Sequence, residues 1–353
     1  MLALKDDLSA DDCYYRFLKK FEGLAADCRY LKISFVVLSI LTIRGEPKLR
    51  EQVILTDVGP RDGLQNQRKI LSLNERVELI LSLGDAGVRQ IEIGSFVSPK
   101  AVPAMAGTDL LVNELEKRTS FKTPIVALVP NLKGYQLARS AGIRHVVMVI
   151  YGSDSMAKKN VAMSRAEAEA ATGDIIAEAR NDGIQVTATI AVAFECPYDG
   201  ITAPETIENI VDKFIALGAD YVVLADTIGA ANPLQVRRLT RTLAGEHDSD
   251  RIGCHFHDTR AMGLANVYAA LESGIRRFDS SIAGLGGCPF APGSSGNVAT
   301  DDVVMMCEQM GFDTGIDLKK MMAASNLAAT LTNSNVAGRA KPWLERHLTA
   351  KAS

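Results

Sequence analysis

The chain has 353 residues, of which 47% are hydrophobic and 23% are charged, and its net charge is -3. This composition is that of a globular protein with a large core, which excludes a disordered or fibrous chain. The near-neutral charge gives no reason to expect a nucleic-acid or membrane partner, and we expect neither. Six cysteines without CxxC spacing indicate reduced thiols rather than a disulfide framework, so we expect a cytoplasmic location.

The first fifty residues differ from the rest of the chain. Acidic residues occur early, in KDDLSADD, so the segment has the features of neither a signal peptide nor a transit peptide. The apolar run ISFVVLSILTI, residues 33–43, is shorter than the ~20 residues that span a bilayer. We expect residues 1–50 to be an N-terminal extension, to which we assign no role, and residues 51–353 to form one domain.

Short β-branched runs then alternate with amphipathic helical stretches. The pattern predicts eight strands, at residues 53–59, 90–97, 124–130, 145–152, 185–194, 221–227, 252–258 and 277–284. Eight strand–helix units over roughly 250 residues match a (β/α)8 TIM barrel. A doubly wound open sheet is disfavoured because no GxGxxG follows the first strand. We expect the barrel over about 53–311, with extra helices after it.

Polar side chains collect at the predicted strand ends, where barrel enzymes build their sites. His255 and His257 alternate on one strand, so both imidazoles face the same side. They could form half of a metal site or be two hydrogen-bonded core residues, and polar residues at the other strand ends favour the metal. These residues are Arg61, Asp62, Gln65, Asn66, Glu92, Ser95, Asp226, Asp258, Cys288 and Asn297.

A metal shell of Asp62, His255, His257 and the Asn297 amide oxygen contains nitrogen and oxygen but no thiolate. Oxygen-rich shells suit Mg²⁺ or Mn²⁺, while imidazoles also admit Zn²⁺, Co²⁺ or Fe²⁺. An octahedral ion with these four ligands would leave two positions for a chelating substrate.

Several segments resemble the 3-hydroxy-3-methylglutaryl-CoA lyases, a family of metal-dependent barrels. The matching motifs are VGPRDGLQNQ, SFVSPK, PNLKG, CPYDG, DTIG, HFHDT and AGLGGCPFAPGSSGN, within residues 53–315. The resemblance implies a cation, Mg²⁺ or Mn²⁺, on Asp62, His255, His257 and Asn297, and a homodimer. It also implies a catalytic arginine at Arg61 and a loop cysteine at Cys288. Glu92, Ser95 and Asp226 would line the pocket, and Arg61, Ser95, Gln65 and Asn66 would bind the CoA-thioester substrate.

The implied reaction is the retro-Claisen cleavage of 3-hydroxy-3-methylglutaryl-CoA to acetoacetate and acetyl-CoA. Arg61 suits stabilisation of a thioester enolate because a guanidinium stays protonated. Asp226, with Cys288 and Glu92, is the candidate group for proton transfer. Asp226 could instead cap the helix that follows it, and Cys288 could be a small buried hydrophobe.

Two residues depart from the family pattern near the chemistry. Arg260 stands where the lyases usually have tyrosine, and Glu195 stands where they usually have glycine. They could pair across the mouth of the barrel or contact the substrate. A lyase for isohexenylglutaryl-CoA or citramalyl-CoA is therefore an alternative, and a Claisen-condensing acyltransferase or a non-catalytic metal-binding barrel is less favoured. The basic segment MAKKN, residues 156–160, could contact CoA phosphates or be a solvated lysine pair.

Overall fold

The computed structural model of the chain describes residues 50–287 and 296–350, with the side chains through residue 347. Within these residues eight parallel strands close into a barrel, which confirms the predicted (β/α)8 fold. The barrel strands are β1 (Ile54–Asp57), β2 (Gln90–Ser95), β3 (Ile125–Leu128), β4 (His145–Tyr151), β5 (Gln185–Ala191), β8 (Tyr221–Asp226), β9 (Ile252–Phe256) and β10 (Arg277–Ser280). A short antiparallel hairpin, β6 (Glu195–Cys196) and β7 (Gly200–Ile201), follows β5 outside the barrel.

Helices connect the strands and continue after the barrel. They are α1 (Leu73–Asp85), α2 (Thr108–Glu116), α3 (Leu132–Ser140), α4 (Asp154–Val161), α5 (Arg165–Asp182), α6 (Pro204–Leu217), α7 (Pro233–Glu246), α8 (Gly263–Leu271), α9 (Thr300–Gln309), α10 (Leu318–Thr332) and α11 (Lys341–Ala350). The last two are the extra C-terminal helices that the sequence predicts.

Glycines end several helices, as the sequence indicates. Gly87 has φ +92° and Gly218 has φ +102°, a left-handed conformation that a side chain would strain. At each of these positions the chain leaves its helix and turns into the next barrel strand.

Each observed barrel strand ends before its predicted limit. The first predicted strand, 53–59, is Ile54–Asp57, and the last, 277–284, is Arg277–Ser280. Turns replace the strand at both places, a wide helical turn over Gly59–Gly63 and a tight turn over Ile282–Gly284. These turns lie at the carboxyl end of the barrel and place the polar residues there.

The compact unit that contains the barrel begins at Glu51. Residues 1–49 lie outside the described part of the chain, so the N-terminal extension stays a prediction. Within the described part no helix is both long enough and apolar enough to cross a membrane. Cys196, Cys254 and Cys307 are free and buried there.

Candidate active site

The wide turn after β1 positions Arg61 and Asp62. The N–H groups of Arg61, Asp62 and Gly63 all donate to the carbonyl of Val58, at 3.1, 2.7 and 3.2 Å. Gly59 allows the turn to pack closely, since a Cβ there would lie 2.5 Å from a side-chain carbon of Ile282. The two charged side chains are thereby held at the carboxyl end of the barrel.

His255 and His257 present their Nε2 atoms to each other, 3.3 Å apart. His257 Nδ1 lies 2.7 Å from the carbonyl oxygen of Thr227, and His255 Nδ1 lies 3.1 Å from Oδ2 of Asp279. A carbonyl and a carboxylate only accept hydrogen bonds, so each Nδ1 carries the proton and each neutral ring has an Nε2 lone pair. Two such lone pairs repel at this distance unless a proton or a cation lies between them.

Asp62 completes a group of three ligand atoms. One of its oxygens and one ring nitrogen from each histidine lie within 4.8 Å of one another. Asn297 adjoins this group, because its amide nitrogen donates to Asp62 Oδ2 at 2.8 Å and to the carbonyl of Leu285 at 3.1 Å. Its amide oxygen is buried and has no hydrogen-bond donor. The converging lone pairs and the carboxylate fit a divalent cation. Asn297 adds an unpaired amide oxygen beside them, although its amide nitrogen is the atom that faces Asp62.

Sequence reasoning missed Asp279, which orients one of these histidines. Ligating imidazoles commonly donate their second nitrogen to a carboxylate or a carbonyl, as His255 and His257 do here. The signal was an acidic residue within the last apolar strand, RFDSSIAG, but the prediction weighed only the residues beyond that strand.

Arg61 forms a buried ion-pair network. It lies 2.7 Å from Asp62 Oδ1 and 2.9 Å from Glu92 Oε2, and Glu92 is only 2% exposed. Burial acts to raise the pKa of Asp62, but the charge of Arg61 and the adjacent histidines hold it well below its ordinary value. Burial raises the pKa of Glu92 to about 6 against the charge of Arg61. Glu92 Oε1 is buried without a hydrogen-bond partner.

Burial also acts to lower the pKa of His255. The hydrogen bond with Asp279 and the charges of Asp279 and Asp62 outweigh burial, so the pKa of His255 is raised. The pocket therefore favours positive charge between its carboxylates, which is the electrostatic condition for binding a cation.

Two cavities meet at this group of residues. The inner cavity, of about 190 Å³, lies inside the barrel and is lined by Arg61, Asp62, Glu92, His255 and His257. The outer cavity, of about 660 Å³, shares Arg61, Asp62 and His257 with it. The outer cavity is also lined by Gln65 and Asn66, by part of the loop over residues 97–103, and by Asn160 of α4.

Gln65 and Asn66 both line the outer cavity and contact neighbouring residues of the site. Gln65 Nε2 donates to Asp62 Oδ1 at 3.1 Å, so it also supports the ligand carboxylate. Asn66 Nδ2 donates to the carbonyl of Gly287 at 2.9 Å and joins the β1 turn to the glycine-rich loop. Cys288 follows that glycine and lies outside the described residues.

Ser95 and Asp226 do not line either cavity. Ser95 lines a separate cavity between β2 and α2, together with Thr108. Asp226 lies on the helix-facing side of β8, since its neighbours Ala225 and Thr227 are the residues that line the inner cavity. Its Oδ1 accepts hydrogen bonds from the N–H groups of Ala230 and Ala231, at 2.8 and 3.1 Å. Asp226 therefore caps the turn that follows β8, while the N-cap of the next helix, α7, is Asn232 and not Asp226, the alternative that the sequence left open.

Arg260 does not pair with Glu195 in the described part of the chain. Its guanidinium donates to the carbonyls of Gly229 and Ala230, in the loop that follows β8. Glu195 lies in the β6–β7 hairpin, opposite Ile201. The two departures from the family pattern therefore lie in separate loops, and within the described residues they do not form the ion pair that the sequence left open as one of two possibilities.

Comparisons with known proteins agree with this geometry. The family model described as HMGL-like matches residues 52–328. The (R)-citramalyl-CoA lyase of Chloroflexus aurantiacus is 43% identical over 290 residues, covering 80% of this chain and 92% of the relative. The hydroxymethylglutaryl-CoA lyase of Pseudomonas mevalonii is 39% identical over 286 residues, covering 81% and 94%. An HMG-CoA lyase from Acinetobacter baumannii, solved with coenzyme A and 3-methylmalate, has a TM-score of 0.77 at 36% identity and covers 82% of this chain and 94% of that one.

Proposed function

The chain belongs to the HMGL-like family of carbon–carbon lyases, and from that premise we propose that it cleaves 3-hydroxy-3-methylglutaryl-CoA to acetoacetate and acetyl-CoA. The observation that supports this most is the pair of Nε2 lone pairs converging beside Asp62, with the buried Arg61–Glu92 ion pair next to them. The first group suits a cation and the second suits a substrate that becomes an anion during the reaction.

A divalent cation, Mg²⁺ or Mn²⁺ in this proposal, would be held by Asp62, His255, His257 and the amide oxygen of Asn297. When bound, it supplies a Lewis acid that makes the tertiary hydroxyl of the substrate more acidic. The protein holds these ligands in place through Asp279 and the Thr227 carbonyl on the two rings, and through Gln65 on Asp62. Among the described residues, Asp226 neither forms a hydrogen bond with a cation ligand nor lines the two cavities. It stabilises the turn that carries the Thr227 carbonyl, by accepting hydrogen bonds from the N–H groups of Ala230 and Ala231.

The reaction takes one proton from the substrate hydroxyl, breaks one carbon–carbon bond and delivers one proton to the enolate product. The C3 hydroxyl loses its proton, the C2–C3 bond breaks, and its electron pair passes to the thioester as an enolate that then takes up a proton. Arg61 stabilises the enolate oxygen with a permanent positive charge, and Glu92 holds the guanidinium in position at 2.9 Å.

Glu92 is also the proposed acceptor of the hydroxyl proton. Its Oε1 has no partner, and burial brings its pKa to about 6, near the pH at which a general base works well. Cys288, carried over from the family motif, is the proposed donor to the enolate. Ser95 stays a prediction as a substrate contact, although it lies outside the two cavities.

The outer cavity is the proposed path of the CoA arm. It opens from the ligand group between the loop over residues 97–103 and helix α4, whose Lys158 and Lys159 are exposed. These lysines could contact the CoA phosphates. The homodimer and the cytoplasmic location also stay predictions.

A second substrate has direct support from the 43% identical citramalyl-CoA lyase. Citramalyl-CoA would react at the same bonds and would yield pyruvate in place of acetoacetate. An isohexenylglutaryl-CoA substrate stays a further alternative.

The first experiment uses purified protein stripped with EDTA. We would incubate it with 3-hydroxy-3-methylglutaryl-CoA, with and without Mg²⁺ or Mn²⁺, and follow acetyl-CoA and acetoacetate. Metal-dependent release of both products is expected. Citramalyl-CoA, assayed in parallel for pyruvate, tests the second substrate. Absence of cleavage in the presence of either metal would contradict the proposed reaction.

A further inference from the structure

The segment between α10 and α11, residues 333–340, contacts the end of the strand that carries His257. Nε of Arg339, in this segment, lies 2.7 Å from Oδ2 of Asp258, the residue that follows His257. The other oxygen, Asp258 Oδ1, accepts a hydrogen bond at 2.9 Å from the N–H of Gly263, where α8 begins. Asp258 is not among the described residues that line either cavity of the site. Its side chain therefore supports the protein around the site and does not face a substrate.

Asp258 also helps to hold two of the proposed ligands side by side. Its N–H donates to the carbonyl of Gly296 at 3.0 Å, and the N–H of Val298 donates to the carbonyl of the last β9 residue at 3.0 Å. The residues between these two bonds, His257 and Asn297, form an antiparallel pair. A shift of Asp258 would break the first bond and move His257 relative to Asn297.

The α10–α11 segment is itself fixed by a buried carboxylate. Asp302 is 4% exposed, and its two oxygens accept hydrogen bonds from the N–H groups of Arg339 and Ala340, each at 2.8 Å. A carboxylate suits this position, because the N–H groups at the start of a helix lack partners within the helix. Gly338 allows the close approach, since a Cβ there would overlap an oxygen of the residue before Asp302.

These contacts close a ring that contains both ligands. The ring runs from His257 to Asp258, across the ion pair to Arg339, through its N–H to Asp302 in the first turn of α9, and back along the chain to Asn297. The Asp258–Arg339 ion pair is the one link of this ring that joins two side chains. A substitution at this pair therefore opens the ring without changing a ligand.

The exposure of the ion pair separates two possible effects of such a substitution. Arg339 is 63% exposed and Asp258 is 18% exposed, and an ion pair so open to solvent adds little to stability. Groups that orient metal ligands without touching the ion have larger effects on metal affinity, typically about 10- to 100-fold. Loss of the ion pair should therefore change metal affinity more than it changes stability.

We propose that Asp258 and Arg339 are positioning residues of the cation site. Their ion pair ties the α10–α11 segment to the end of β9 and keeps His257 and Asn297 in the relative position that binds the cation. The chain after the barrel is thereby part of the support of the site. This inference rests on the proposed cation and reaction, and adds to them two residues that are neither ligands nor substrate contacts.

The test measures metal binding separately from turnover. Arg339→Met removes the ion pair at an exposed position, so we expect the metal-free protein to keep a Tm close to that of the wild type. Its Kd for Mn²⁺, from isothermal titration, should rise about tenfold. The visible spectrum of bound Co²⁺ reports ligand geometry and should change as well. An unchanged Kd and an unchanged Co²⁺ spectrum would overturn the proposal, whether or not the Tm falls.

A second variant and a control sharpen the test. Asp258→Asn keeps an oxygen for the N–H of Gly263 and loses the charge that pairs with Arg339. If both residues act through one ion pair, the Kd of the double variant Asp258→Asn/Arg339→Met should equal that of the weaker single variant. Arg241→Met, at an exposed arginine of α7, should keep the wild-type Kd. Additive losses in the double variant, or an equal loss in Arg241→Met, would overturn the assignment.

The outcomes separate this inference from the proposed function. A wild-type protein that binds Mn²⁺ and cleaves 3-hydroxy-3-methylglutaryl-CoA, with variants that bind Mn²⁺ equally well, would refute the positioning role alone. A wild-type protein that binds no Mn²⁺ would refute the proposed cation and the positioning role together.

Discussion

Two groups of carboxylates, buried or partly buried, lie near the carboxyl end of the barrel and differ in their partners and pKa values. The site carboxylates, Asp62, Glu92 and Asp279, face Arg61 and His255. The second group, the C-terminal carboxylates, is Asp57, Asp301 and Asp302, all less than 5% exposed. Asp301 and Asp302 lie beneath Gly338, which precedes α11, and Asp57 joins them through Thr300 at the start of α9. The two groups also differ in partners: the site carboxylates face charged side chains, and the C-terminal carboxylates face hydroxyl and backbone groups.

The C-terminal carboxylates bind hydroxyl and backbone donors. Asp57 accepts from Thr300 Oγ1 at 2.7 Å and from the N–H of Gly59 at 2.9 Å. Asp302 accepts from the N–H groups of Arg339 and Ala340. Both oxygens of Asp301 have no hydrogen-bond donor, and in the described part of the chain neither Asp57 nor Asp301 forms an ion pair.

The comparison between Asp62 and the C-terminal carboxylates shows that several charged partners together can outweigh burial, whereas at Glu92 burial prevails over Arg61 and raises the pKa to about 6. Burial, with the charge of Asp302 adding to it, raises the pKa of Asp301 to about 7. Burial raises the pKa of Asp57 to about 6. Asp62 keeps its pKa below the ordinary value because Arg61 and the histidines outweigh burial. A carboxylate that must bind a cation needs such partners, whereas one that only packs can hold a proton.

The largest effect should come from removing one ring of the site. We expect His257→Ala to abolish metal binding and cleavage together, because one of the two converging lone pairs is lost. The control is His247→Ala, whose imidazole pairs with Asp212 at 2.8 Å outside the site. Isothermal titration with Mn²⁺ and the acetyl-CoA assay measure both quantities. Undiminished Mn²⁺ affinity in His257→Ala would remove the histidine from the ligand set.

Arg61→Met should separate binding from turnover. Loss of the guanidinium removes the group opposite the enolate, and we expect kcat to fall about 10²- to 10³-fold while Mn²⁺ still binds. Arg144→Met, at an exposed arginine before β4, is the control for loss of positive charge. A near wild-type kcat in Arg61→Met would refute enolate stabilisation by this residue.

A smaller effect is expected among the C-terminal carboxylates. Thr300→Val removes the hydroxyl that donates to Asp57, and leaving a buried acceptor without its donor costs about 1–3 kcal/mol of unfolding free energy. Thr242→Val, at a partly exposed threonine of α7 whose hydroxyl donates to the Arg238 carbonyl, should change this free energy little. Urea unfolding at pH 7 measures both. Equal stabilities for the two variants would mean that the hydrogen bond at Asp57 contributes nothing.

The smallest change concerns the pH dependence of stability. Asp301 has a pKa raised from 3.8 to about 7, so the native state binds its proton more tightly than the unfolded chain. Between these values the unfolding free energy therefore falls as pH rises. Asp301→Asn should remove this fall, so that its unfolding free energy stays level over the pH range in which that of the wild type decreases. Asp85→Asn, at a carboxylate that is 82% exposed, is the control. Parallel pH profiles for Asp301→Asn and the wild type would contradict the raised pKa.

Much of the site could be predicted because its spacing is local. His255 and His257 are two residues apart on a strand, which puts them on one face whatever else the chain does. Arg61 and Asp62 follow the first strand directly, and the ends of parallel strands meet at one mouth of a barrel. The structure brings these four residues together with Glu92 and Asn297, which the sequence also predicts near the site.

The sequence predicts that Asp226 lines the pocket, but it does not show which face of β8 the side chain occupies. Asp226 on β8 and Asp279 on β10 are both aspartates within apolar strands. Asp279 faces the inner cavity, while Asp226 faces the helices and caps a turn. Sequence reasoning chose Asp226 and missed Asp279.

The sequence by itself determined the barrel, through eight alternating units, and the paired histidines, through their two-residue spacing. Only the tertiary structure decided which aspartates face the cavity and how much space lies inside the barrel. The reason is that barrel strands are buried on both faces, so their apolar pattern does not distinguish the inner face from the outer one. That distinction comes from strand register and from packing between residues far apart in the chain, as in the pairing of Val149 with Thr189 and of Val223 with Gly253 across neighbouring strands.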